Sequence, residues 1–183
     1  MTMESGTYPI KQSAAEAGPA QLPTITFEEE YKLSFSGQDI LIRHIPNAHT
    51  DGDVYIHFQQ ANILSTGDMF YYLAFPFIST GTNGTIDGHL AAQAEILNKT
   101  DDNTIVVPGH GPQTGKAGLG DTSNRLGNMR GYVAWLKKMG VSRNAARAFY
   151  PTFAKGSDWK DGPITDKFFL ELVYTTLPQQ PEE

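Results

Sequence analysis

No cysteine occurs among the 183 residues, which excludes disulfides and thiolate metal ligands alike. Any metal this chain holds is bound through His, Asp or Glu. Basic charge is also scarce: Lys+Arg 14 against Asp+Glu 20 leaves a net charge of -6, without the basic stripe of a nucleic-acid surface. No apolar run approaches the ~20 residues that cross a bilayer. The opening MTMESGTYPIKQSAAEAG has no basic stretch leading into an apolar one and does not read as a signal peptide. A leader upstream of Met1 would lie outside this sequence, so localisation stays open.

What is present, 39% hydrophobic residues, suits one domain with a sizeable core. Residues 1–21 are rich in Ser, Ala, Gly and Pro without apolar periodicity, and read as a flexible N-terminal segment. Strand signals follow at 24–27, 31–35, 40–45, 54–58 and 62–66, with a turn at 36–39. Several are apolar on both faces, as in a sheet covered on both sides. Residues 86–97 carry Leu90, Ala94 and Leu97 at helical spacing, and 104–107 read as a strand. Asp121 is placed to cap a long helix whose buried side holds Leu126, Met129, Val133 and Leu136. A short helix is predicted over 142–149. Another follows Thr165, with Phe168, Phe169, Leu172 and Val173 inward, before a tail at 178–183.

Three motifs stand where a strand gives way to a loop: His49-Thr-Asp-Gly-Asp53, Gly67-Asp68 and Pro108-Gly-His110-Gly-Pro112. Side chains at neighbouring strand ends can converge on one point. Imidazole and carboxylate are donors zinc accepts, and a His ring can bind through one nitrogen while the other donates to a supporting group. Each motif alone is weak, since strand-end histidines are mostly structural and Asp51-Gly52 is also a good hairpin turn. Their ordered succession, each after a strand, is far more specific.

In their local context, IRHIPNAHTDGDVYIHF, NILSTGDMFYYLAFPFI, TIVVPGHGP and the closing FFLELVYTTL, these motifs resemble the metallo-beta-lactamase superfamily, the MBL-fold metallo-hydrolases. The resemblance covers about residues 22–177 and is densest between His44 and Pro112. It implies an α+β fold, the αββα sandwich. This chain would supply its C-terminal half, a mostly antiparallel sheet with helices on one face. By the same resemblance His49 completes a first metal site, Asp68 bridges two metals at the catalytic centre, and His110 is the last ligand of the second site. Two zinc ions would hold a hydroxide that attacks a carbonyl carbon of a small-molecule substrate. His and Asp donors suit iron or manganese as well.

The family's His-x-His-x-Asp-His motif is absent. The five histidines stand at 44, 49, 57, 89 and 110. The resemblance therefore implies a hydrolase inactive without an N-terminal half. Two other readings are a non-catalytic half-domain with an interaction or structural role, and one chain of a split enzyme. A half-sandwich would also expose an apolar sheet face, through which self-association is expected. Ester, thioester, lactone and β-lactam substrates all fit this chemistry. His44 and His57 read as strand-packed, and His89, near a helix start, as exposed. Asp53 reads as a supporting carboxylate or a turn residue. Tyr71 and Tyr72, in the aromatic run from Phe70 to Phe77, read as pocket lining or core.

Overall fold

In the computed structural model, residues 22–148, 159 and 164–178 are described; the expected flexible segment 1–21 and the end of the tail lie outside them. Strand β1 (Glu30–Phe35) turns into β2 (Gln38–Ile45) through Ser36-Gly37. Both turn residues have positive φ, 49° and 76°, the pairing whose twist matches that of the flanking strands. β3 (Asp53–Phe58) pairs antiparallel with β2, setting Tyr55 opposite Arg43, and β4 (Ile63–Ser65) pairs antiparallel with β3. β5 (Ile105–Val107) then joins β4 in parallel, closing a five-stranded sheet in chain order. That parallel step requires a crossover, which α1 (Ile86–Lys99) supplies. The Thr85 hydroxyl accepts from the Gly88 N–H and caps α1. α2 (Lys116–Lys138), α3 (Arg143–Ala148) and α4 (Asp166–Thr176) complete the chain, α4 capped by Thr165.

One face of the sheet is core. Ile45, Tyr55, Leu64 and Val106 pack with Ala92 and Ile96 of α1 and Leu119 of α2. The Tyr55 hydroxyl donates to Glu95 of α1; burial, and then the Glu95 charge, push this phenol up to about 12. A second apolar cluster joins Phe75, Ile78 and Ile86 to Leu126, Met129 and Val133 of α2 and Phe169, Leu170 and Val173 of α4. Period-two alternation sends Ile40, Ile42, Val54, Ile56, Phe58 and Ile63 to the other face of the sheet. They lie outside both buried clusters, and Ile105 and Val107 on that side are exposed. The α+β architecture, the mostly antiparallel sheet and the one-sided helices are those expected.

Two expected elements are corrected. Residues 24–27 form no strand; Leu22 and Ile25 are exposed, and pairing begins at Glu30. The long helix starts at Lys116, which leaves Asp121 inside it rather than at its cap. The glycines at 115, 118 and 120 disguise this start, and Gly115 supplies no side-chain cap. Burying Leu119 is worth about 2 kcal/mol against about 1 kcal/mol for a cap, so packing carries the helix back by a turn and more. In α4, Phe168 is only partly buried and Leu170 takes the fully buried position.

Candidate metal centre

β2, β4 and β5 run in the same direction, because two antiparallel steps restore the direction of β2 in β4, and β5 is parallel to β4. Their C-terminal ends therefore open onto one edge of the sheet. His49 follows β2, Asp68 sits in the single 3-10 turn Gly67–Met69 after β4, and His110 follows β5.

The three side chains meet at that edge. His49 Nε2 is 3.6 Å from one oxygen of Asp68, and His110 Nε2 is 3.4 Å from the other. Both spacings are too long for good hydrogen bonds. Two donors bound 2.0–2.2 Å from a tetrahedral ion lie about 3.3–3.6 Å apart, so each His–Asp gap has the width of a shared zinc. The donor set fits the metal chemistry in this limited sense. Among the described residues, no three His, Cys, Asp or Glu side chains gather to hold a single ion. Each oxygen of the Asp68 carboxylate thus faces one histidine nitrogen.

Each donor is held from behind. His49 Nδ1 is 2.8 Å from the Phe77 carbonyl, which can only accept, so Nδ1 carries a proton and Nε2 is the nitrogen that faces Asp68. The Tyr71 hydroxyl donates to Asp68 at 3.0 Å, and its ring stacks on His110 with centroids 4.4 Å apart. Burial, and then the Asp68 charge, raise the Tyr71 phenol, which stays protonated and donating. The Tyr72 N–H donates to the His110 carbonyl. Gly109 allows the close approach: a Cβ there would overlap Asp68 Oδ1 and come within 2.7 Å of the Gly67 backbone. Its N–H donates to the Gly67 carbonyl, joining the β4 and β5 ends.

The weaker candidates separate. Tyr71 touches Asp68 and His110 directly. The Tyr72 ring instead packs with the sheet-side core, so its part here is through the backbone. Asp53 accepts from the N–H and hydroxyl of Thr50, holding the turn that follows His49. His44 has each ring nitrogen on a backbone carbonyl, of Glu28 and of Asp51. His57 is partly buried beside Tyr55; burial, then the Lys99 charge, lower its pKa.

His89 corrects the sequence reading. It is fully buried, with neither ring nitrogen hydrogen-bonded among the described residues. The loop carrying His49 lies across the start of α1: the Thr85 N–H donates to the Asn47 carbonyl, and a Cβ on Gly88 would overlap that same oxygen. Burial, and next the His49 ring, push His89 down to about 3, so it is neutral at physiological pH. One turn further on, Gln93 is also buried and donates to the Met69 carbonyl, next to Asp68. Gly88 and the small residues near it were the only local signals of this closure.

Comparison with known proteins bears on the family and the fold. The profile of the metallo-beta-lactamase superfamily matches residues 2–110, more than half of the chain. No curated protein sequence matches. Among solved structures, a metallo-beta-lactamase from Pontibacter korlensis is 23% identical, with a TM-score of 0.50 over 58% of this chain and 49% of its own. The stereoselective inverting sec-alkylsulfatase Pisa1 from Pseudomonas sp. is 15% identical, with a TM-score of 0.69 over 85% of this chain and 26% of its own. The chain thus spans half the length of these relatives or less. Profile, fold and the ordered strand-end motifs lead to one assignment: the chain belongs to the metallo-beta-lactamase superfamily.

Proposed function

We propose that this chain carries one side of a metal-dependent hydrolase centre, with His49, Asp68 and His110 as ligands, Asp68 shared between two ions, and zinc as the metal. The observation that carries this reading is the pair of His–Asp spacings, 3.6 and 3.4 Å, on opposite oxygens of one carboxylate. When bound, the metal lowers the pKa of water and polarises a substrate carbonyl. The chain's own residues hold the geometry. The Phe77 carbonyl fixes the His49 tautomer, Tyr71 orients Asp68 and stacks on His110, and Gly109 lets the carboxylate sit against the backbone. A carbonyl-type small molecule is the substrate class that this chemistry serves.

Each ion would receive two donors from these residues, whereas a catalytic zinc ordinarily takes three. His44 and His89 are committed or enclosed, and His57 lies under the sheet's helix face. No other histidine is placed to serve, so on this reading the remaining donors come from outside the described residues, as a longer protein or a partner chain would supply them. The same count supports a second reading, a non-catalytic half-domain, which cobalt titration and activity assays separate. Cobalt(II) should bind weakly to the chain, with a visible absorption that Asp68→Asn abolishes. Ester and lactam probes should be hydrolysed at background by the chain alone, and above it once a separately made half with the His-x-His-x-Asp-His motif is added. Cobalt binding unchanged by Asp68→Asn would overturn the ligand assignment. Metal-dependent turnover by the monomer alone would overturn the two-part reading.

A further inference from the structure

A cleft of about 130 Å³ lies between α2 and the segment carrying Phe75, lined by Phe75, Arg125, Leu126, Asn128, Met129 and Trp159. Its walls divide by chemistry. Phe75 meets Trp159 edge to face with centroids 4.8 Å apart, and Leu126 and Met129 are buried beneath, giving an apolar floor with two aromatic sides. Arg125, Asn128 and Met129 stand three and four residues apart on α2, so the cation and the amide share the helix face that carries the floor. The Arg125 guanidinium stands 5.7 Å from the centre of the Trp159 ring, an arrangement that orients the cation.

Three of the five arginines are paired. Arg43, Arg130 and Arg147 each face a carboxylate, of Glu29 and Glu95, Asp87 and Glu171. Arg125 and the exposed Arg143 pair with no carboxylate among the described residues, in a chain whose net charge is -6, and of these two Arg125 lines the cleft. Its planar fork of donors matches a carboxylate or sulfate group. The cleft, about 130 Å³ and open on one side to Arg125, is close in size to a dry cavity of about 150 Å³ that takes a benzene ring.

We propose that this cleft is a binding site for a small organic anion bearing an aromatic ring. The ring lies on Phe75 and Met129, and the acid group meets Arg125 and Asn128. The site needs no metal and stands whether or not the hydrolase reading does.

Two tryptophans occur in the sequence, Trp135 and Trp159, so Trp135→Phe leaves Trp159 as the sole reporter. Trp135 is exposed, and the change should leave the fold intact. The probe is phenylacetate, added to the full chain in excess EDTA and read by Trp159 emission, with phenylacetamide and acetate as controls. Phenylacetate should give a saturable change with a dissociation constant below about 10 mM, and both controls should bind at least about tenfold more weakly. In the same background Arg125→Gln should reduce phenylacetate to the level of phenylacetamide, and Arg125→Lys should keep most of the preference. Circular dichroism checks that each variant is folded. No saturable response, equal binding of the acid and the amide, or a folded Arg125→Gln variant with unchanged affinity would each overturn the proposal. Should Arg125→Gln fail to fold, the acid–amide comparison on the parent decides alone.

Discussion

The least expected residue is His89. An imidazole buried without hydrogen bonds sets its desolvation cost against no compensating partner, a penalty on the order of 1–3 kcal/mol. Leucine has nearly the same volume and no polar atom, so His89→Leu should raise stability by about 1 kcal/mol or more. The pH dependence has a definite sign. The pKa falls from 6.5 unfolded to about 3 folded, so between these values the unfolded chain binds a proton that the native chain refuses. The wild type therefore keeps this contribution in full above pH 6.5 and loses up to about 1.4 kcal/mol per pH unit below it. Urea melts at pH 7.5, 6 and 5 measure this, with His89→Leu as the reference that lacks the slope. Parallel curves for the two proteins would show that His89 titrates normally and is not enclosed.

Among the elements, the junction of β4 and β5 matters most, because β2, β4 and β5 must all end at one edge of the sheet for Asp68 to lie between two histidines. Gly109 sits at that junction, with no room for a methyl group beside Asp68 and the Gly67 backbone. Gly109→Ala should cost about 2 kcal/mol or more by overpacking, and should abolish the Asp68-dependent cobalt absorption. A thermal melt and a cobalt titration of one sample give both readings. Unchanged cobalt binding would show that the carboxylate need not sit against this glycine. The caps carry less: Thr85→Ala at the head of α1 should lower stability by about 1 kcal/mol in urea melts.

For the whole molecule, the two faces of the sheet are unequal. One is buried under α1 and α2, while the face carrying Ile40, Ile42, Ile56, Phe58 and Ile63 has no described helix upon it. A sheet face of half-buried apolar side chains favours association where it forms a continuous patch. The chain should therefore self-associate with rising concentration in sedimentation experiments, and Ile56→Lys, in the middle of that face, should shift it toward monomer. A wild type that stays monomeric at high concentration would show that the face is covered.

Five of the six expected strands, most of the helical faces and the three strand-end motifs were legible in the sequence because they rest on local rules. Period-two and period-3.6 alternation, turn residues and the order of His49, Asp68 and His110 all lie along the chain. Tertiary structure decided what depends on which segments cross. The loop at Asn47 closing over α1 buried a histidine whose helix-start position suggested exposure. The burial of Leu119 carried α2 back past the apparent cap at Asp121. The Phe77 carbonyl behind His49, the Tyr71 hydroxyl on Asp68 and the placing of Arg125 over Trp159 join residues from separate elements. No periodicity encodes such distances. Sequence by itself determined that His49, Asp68 and His110 each follow a strand, since strand signals are local; only packing across elements decided the strand order and direction that bring them to one edge, and how they are held there.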